Sequence, residues 1–250
     1  MFACGLMAAA GAVVLIWGEL ISLPVASLAI AGFLGGGLFL CAGIFRDLRE
    51  LSEPVDDVAG TFSEISALAR SRCGATIKEL SQEKPLLLIF LRHAGCTFCR
   101  ETLDNLTKQR AEIERAGFEL AIVSMGQPMD ATLLLSRYGL DDVDRFVDCN
   151  CSLYRSVALP RGNFRQLFGP HVLYRGLVQG ALFRHGMGKL CGDGFQLSGA
   201  FVVDRGELVS EFRSQDAADL VDFEKILSVS QPLLDRRNEA LQDHAPQQLA

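Results

Sequence analysis

The sequence predicts a mixed α/β domain, a sheet with flanking helices, preceded by one or two membrane-spanning helices. Three observations predict it. Residues 1–45 hold a single charged side chain, Glu19, whereas all 24 Lys and Arg residues of the 250-residue chain lie from Arg46 onward. Beyond Pro85, apolar runs of strand length alternate with amphipathic, charged stretches. Between the first such strand and helix stands Leu-Arg-His-Ala-Gly-Cys-Thr-Phe-Cys-Arg-Glu (91–101), which places a C-x-x-C pair in a βα turn.

Taken in order, the chain begins with two apolar runs. Ile21–Phe45 is uncharged and about 25 residues long, enough to cross a bilayer with some tilt. Phe2–Trp17 is shorter, and Gly18 and Glu19 separate the two. Either Ile21–Phe45 spans alone, or the pair forms a helical hairpin with Trp17 at the interface and Glu19 in the turn. A cleaved signal peptide is a third reading, but the basic n-region it requires is absent. Arg46 and Arg49 follow the long run and no basic residue precedes it, so the positive-inside rule puts the C-terminal part on the cytosolic side of its membrane. Gly32-x-x-x-Gly36 has the spacing that lets two membrane helices approach closely, which offers a route to homo-oligomers; glycine is also simply frequent in such helices. The expected organisation is an anchor at 1–50, an α/β domain at 51–235 and a polar, mobile tail at 236–250.

Residues 47–60 are acidic and contain Pro54, as suits a connector. Thr61–Arg72 has helical spacing, with Phe62, Ile65 and Leu68 on one side. A second connector ends at Lys84-Pro85. Then come a strand at Leu86–Leu91, a helix to about Ala116, a strand at Phe118–Ser124, a helix at Asp130–Tyr138, a strand at Arg145–Asp148 and a helical piece at Leu153–Val157. Residues 160–195 are rich in glycine, arginine and aromatics and read as loops and short helices, an insertion long enough to serve function or packing. Ala200–Asp204 and Glu207–Arg213 form a hairpin around Arg205-Gly206, and Asp219–Val229 is a helix. A right-handed βαβ crossover makes the strands at 86–91 and 118–124 parallel.

The chemistry lies in the C-x-x-C. A helix start offers free N–H groups and partial positive charge, which favour thiolate over thiol. An ordinary cysteine, with a pKa of about 8.5, is only about 3 % ionised at pH 7. Cys96 comes first and is the expected attacking thiolate; Cys99, one turn on, would resolve the mixed disulfide. His93 would take the thiol proton or merely cap the strand end. Arg92 and Arg100 would lower the thiol pKa by charge, or be solvated arginines. Glu101 and Asp104 read as helix-surface charges. Two competing readings are a pair of inert buried cysteines and half a zinc site, though zinc needs four ligands and no second C-x-x-C is present. The redox reading calls for no cofactor and no metal. Cys149 and Cys151 follow the strand at 145–148; if that strand is parallel to the one before the dithiol, they open on the same sheet edge and would serve as a relay, or else are ordinary loop cysteines. A net charge of −6 and the lack of a basic patch argue against a nucleic-acid partner, and eight cysteines in a chain this long do not make a disulfide scaffold.

Three motifs carry a family likeness: Phe90-Leu-Arg-His-Ala-Gly-Cys-Thr-Phe-Cys-Arg-Glu101; Gly192-Asp-Gly-Phe-Gln-Leu-Ser-Gly-Ala-Phe-Val-Val-Asp204; and Phe146-Val-Asp148 followed by Leu153-Tyr-Arg155. Together, over about residues 84–230, they resemble the peroxiredoxin-like 2 family, of the alkyl hydroperoxide reductase/thiol-specific antioxidant type and related to selenoprotein L. The resemblance implies a thioredoxin-like fold, a redox-active dithiol at Cys96 and Cys99, and an antioxidant role. The chain departs from typical peroxiredoxins, which carry Pro-x-x-x-Thr/Ser-x-x-Cys: three and seven residues before Cys96 stand His93 and Ile89. It also departs from thioredoxins, since Gln196-Leu-Ser-Gly199 holds no proline before the late hairpin.

The expected function is therefore a membrane-anchored thiol-disulfide oxidoreductase or antioxidant protein that reduces disulfides or peroxides. Its partners would be a lipid bilayer and a thiol reductant. The alternative is a non-enzymatic thioredoxin-like membrane protein that binds a partner or cofactor.

Overall fold

The computed structural model describes residues 60–179 and 192–243, all within the unit Pro54–Ala250. The apolar runs Phe2–Trp17 and Ile21–Phe45, with the anchor they imply, lie outside the described residues, as does Cys191. Among the described residues no helix is long and apolar enough to cross a membrane.

Five strands form one sheet in the order β3-β2-β1-β4-β5. They are β1 (Leu86–Phe90), β2 (Glu119–Ser124), β3 (Asp144–Val147), β4 (Gly199–Asp204) and β5 (Glu207–Arg213). β1, β2 and β3 are mutually parallel, as the crossover rule requires, while β4 runs antiparallel to β1 and β5 to β4. β1 is central and all five of its residues are buried, so it reads as an uninterrupted apolar run. Its side chains alternate between two cores. Leu87 and Ile89 face one, with Leu103 and Leu106; Leu86, Leu88 and Phe90 face the other, with Phe62, Ile77 and Tyr154.

The helices are α1 (Phe62–Leu68), α2 (Ile77–Glu83), α3 (Thr97–Arg115), α4 (Pro128–Arg137), α5 (Ser152–Ser156), α6 (Phe164–Phe168), α7 (Pro170–Leu177) and α8 (Phe223–Asp243). Buried side chains of α3, α4, α6, α7 and α8 belong to the first core, and those of α1, α2 and α5 to the second, giving helices on both faces of the sheet.

Several expectations are corrected. α1 stops at Leu68 rather than Arg72, because Ala69 is extended and Arg70 bridges Thr76; Leu68 is exposed instead of packed. The stretch read as a second connector contains α2, whose Thr76 and Glu79 cap each other's backbone N–H groups. The last helix covers Phe223–Asp243 rather than Asp219–Val229, so it extends into the expected polar tail at 236–250. The hairpin turn is as expected. Arg205 and Gly206 have φ of 52° and 85°, the paired positive values of a type I′ turn, whose twist matches that of the strands it joins.

Candidate functional site

α3 begins immediately after the C-terminal end of β1, and the turn between them carries the dithiol. Cys96 is the extended residue preceding the helix, and its N–H donates to the His93 carbonyl at 3.0 Å. Cys99 lies in the first turn, where its Sγ accepts the Arg92 main-chain N–H at 3.2 Å. Both are free thiols and both are buried.

The two sulfurs stand in opposite electrostatic settings. The Cys96 thiol is held well below the ordinary value, first by the hydrogen bond from Cys99 and then by the charges of Arg92 and His93, which together outweigh the opposing effect of burial. The Cys99 thiol is pushed well above it, by burial first and then by its bond and proximity to Cys96. The two shifts favour an anion on Cys96, the sulfur at the helix start, over one on Cys99.

Arg92 is buried, with 7 % of its surface exposed. Its Nε donates to the Gln196 carbonyl at 2.9 Å and its Nη2 to the Gly194 carbonyl at 2.8 Å, while Nη1 lies 3.6 Å from Cys96 Sγ. It is therefore a clamped charge, not a solvated one. His93 is held below its ordinary pKa, chiefly by burial, with the Cys96 thiolate pulling the other way, and its Nδ1 is buried with no hydrogen-bond partner. Arg100 begins the helix's second turn, its N–H donating to the Cys96 carbonyl at 3.2 Å. Its charge acts on His93 in the same direction as that of Arg92.

Glu101, expected on the helix surface, is 8 % exposed. It pairs with Arg175 of α7 at 3.1 Å, and burial raises its carboxyl above the usual range in spite of that partner. Arg175 also lies 5.9 Å from the centre of the Phe98 ring and donates to the Ala218 carbonyl at 2.7 Å. The 160–195 insertion thus supplies a helix that packs over the first turns of α3. Only the insertion's own arginines and aromatics signalled this in the sequence.

Tyr154 enters the sequence analysis only within the Leu153-Tyr-Arg155 motif, with no role assigned to it. It is wholly buried, and its hydroxyl donates to the carbonyls of Leu91 and Val123, securing the two strand ends from which the site is built. Asp148 fixes α5 beneath it, accepting the N–H groups of Ser152 and Leu153 at 2.9 and 2.8 Å.

Because β3 is parallel to β2 and β1, Cys149 and Cys151 open on the dithiol's edge of the sheet. They have other partners there: Cys149 Sγ lies 3.1 Å from the Gly126 carbonyl, and Cys151 Sγ lies 3.2 Å from Met125 Sδ. Burial pushes the Cys151 thiol up to about 11. Among the described residues no three His, Cys, Asp or Glu side chains are grouped to hold a metal ion.

A dithiol on the first turn of the helix after the central parallel strand, in a β3-β2-β1-β4-β5 sheet, defines a thioredoxin-like domain with a candidate redox centre. Residues 105–216 match the family described as AhpC/TSA antioxidant enzyme, a segment that opens inside α3, after both cysteines, and closes beyond β5. The chain is thus similar to peroxiredoxin-like proteins of the alkyl hydroperoxide reductase/thiol-specific antioxidant type, as the motifs imply. Similar solved structures include a cysteine-to-serine mutant of peroxiredoxin 6 of Arenicola marina, with 12 % identity, 70 % of each chain covered and a TM-score of 0.46. Another is peroxiredoxin Q of Xanthomonas campestris, with 14 % identity, 73 % of this chain and 98 % of that one covered and a TM-score of 0.47. A third is the peroxidoxin BcpB from Mycobacterium tuberculosis, with 13 % identity, 66 % and 91 % covered and a TM-score of 0.47. No curated protein matches the chain.

Proposed function

We propose that this protein is a membrane-anchored thiol-disulfide oxidoreductase of antioxidant type, working through the Cys96/Cys99 dithiol. The observation that carries the reading is the unequal setting of the two thiols. Cys96 stands at the start of α3 with Arg92 Nη1 3.6 Å from its Sγ, whereas Cys99 is enclosed in the first turn, which favours the thiolate on the first and the thiol on the second. A disulfide exchange needs this asymmetry: a thiolate ready to attack, and a second thiol that stays protonated until the first has reacted.

The Cys96 thiolate attacks one sulfur of a disulfide substrate, forming a mixed disulfide and expelling the other sulfur as a thiolate. Cys99 loses its proton and attacks Cys96 Sγ, closing the Cys96–Cys99 disulfide and releasing the second substrate thiol. With a hydroperoxide, Cys96 takes the terminal oxygen as a sulfenic acid and the alcohol leaves; Cys99 then condenses with the sulfenic acid and water leaves. In either case an external thiol reductant returns two electrons to the dithiol. Arg92 holds positive charge beside the attacking sulfur, and His93 is the neighbouring group that accepts or returns a proton. The bilayer is engaged through residues 1–50, with the α/β domain on the cytosolic side.

The test is reduction of a small disulfide by the reduced full-length protein. Cys96→Ser abolishes turnover, whereas Cys99→Ser permits attack and accumulates a mixed disulfide at Cys96. Trapping only through Cys99 in the reciprocal variant reverses the assignment. Turnover unaffected by either substitution refutes the dithiol as the reacting group, and no turnover by the unsubstituted protein leaves the non-enzymatic reading, a thioredoxin-like protein that binds a partner or cofactor.

A further inference from the structure

We infer that Gln196 is a positioning residue, whose buried side-chain amide pegs the loop before β4 so that the loop's carbonyls hold Arg92 against Cys96. Gln196 is 3 % exposed. Its Nε2 donates to the carbonyls of Leu159 and Pro160 at 3.1 and 3.2 Å. Main-chain bonds run alongside: Gly162 N–H to the Phe195 carbonyl at 2.7 Å and Leu197 N–H to the Pro160 carbonyl at 3.1 Å. The Arg161–Asp193 ion pair at 2.7 Å closes the same contact. Loop 193–197 is thereby stitched to segment 159–162 rather than left open along the sheet edge.

The stitching determines where the loop's carbonyls point. Those of Gly194 and Gln196 turn inward and take Nη2 and Nε of Arg92, two donors of a rigid planar fork. With those fixed, Nη1 has one place to go, and Cys96 Sγ occupies it at 3.6 Å. An arginine free to rotate would spread its charge over a large volume and be screened by water; a clamped, buried one acts at one distance through a low dielectric. The groups facing Cys96 are Arg92, His93 and Cys99, whereas the Gln196 side-chain amide donates to main-chain carbonyls and meets Arg92 through the loop's own backbone. Gln196 therefore reaches the thiol through Arg92.

This inference rests on the reading of Cys96 as the attacking thiol, and one experiment separates the two. In the reduced full-length protein, iodoacetamide labelling is followed against pH by mass spectrometry of the tryptic peptide that carries both cysteines, His93–Arg100, or Glu79–Arg100 where Arg92→Met removes the cleavage site, with fragmentation to distinguish Cys96 from Cys99. Gln196→Leu raises the midpoint of Cys96 labelling by about one pH unit, about a tenfold fall in the thiol's acid dissociation constant. Arg92→Met raises it as well, and adding Gln196→Leu to Arg92→Met raises it no further, the non-additivity expected of residues acting in series. Gln196→Asn keeps the amide but shortens its reach; it gives a smaller shift in the same direction and decides the matter if Gln196→Leu fails to fold. An unchanged midpoint in the folded variants, or a full additional shift in the Arg92→Met background, overturns the inference while leaving the dithiol reading intact. Labelling of Cys99 ahead of Cys96 in the unsubstituted protein overturns the dithiol assignment itself.

Discussion

A guanidinium near a thiol differs greatly in effect according to whether water reaches it, and Arg92 lies on the dry side of that division. Its neighbour His93 helps the thiolate less, because burial disfavours the charged form through which it acts. The site also lacks groups that typical peroxiredoxins place around their thiolate. Ile89, seven residues before Cys96, is wholly buried in β1, and His93, three residues before, offers an imidazole in place of a hydroxyl. The protein is therefore expected to consume hydrogen peroxide more slowly than an ordinary peroxiredoxin. Stopped-flow oxidation of the reduced protein checks this, and a rate equal to that of an ordinary peroxiredoxin would show that Arg92 and its surroundings replace the missing pair. Glu101 carries the converse lesson. A carboxylate on a charged helix reads as solvated, and only the packing of α7, with Arg175 brought from 74 residues away, makes it a buried ion-pair partner.

Among the elements, α2 shows a signal that was present but unread. Thr76 and Glu79 have the spacing of a capping box, and each bonds the other's backbone N–H, at 3.1 and 2.7 Å. Thr76→Ala removes a buried hydroxyl that satisfies a helix-start N–H and should lower stability by about 1 kcal/mol. Urea unfolding of the domain measures this, and an unchanged midpoint would mean that the cap contributes nothing net. α3 is the opposite case. It starts where the C-x-x-C spacing placed it, directly after Cys96, because β1 ends at Phe90 and the turn residues 91–95 return the chain onto the sheet. The hairpin was legible for a similar local reason: two residues between alternating runs leave one turn geometry that matches strand twist.

At the scale of the whole molecule, the 1–50 anchor remains the boldest part of the reading. The full chain is expected to stay with membranes through carbonate washing, and a fragment beginning at residue 51 to be soluble, since transfer of a 25-residue uncharged run into lipid is strongly favourable. Carbonate release of the full chain would refute the anchor, and digestion of the C-terminal domain by protease outside intact cells would refute its orientation. By itself the sequence determined the strand–helix alternation, the parallel β1–β2 pair, the hairpin and the place of the dithiol, because each depends on the period of apolar residues or on spacing within a few positions. Packing alone settled which charges are buried, that Arg92 is clamped by carbonyls of Gly194 and Gln196, and that Tyr154 braces the ends of β1 and β2. Those contacts join residues tens to a hundred positions apart. Hydropathy is a local property of the chain, whereas the desolvation and hydrogen-bond partners that set a charge's effect are properties of the packed fold.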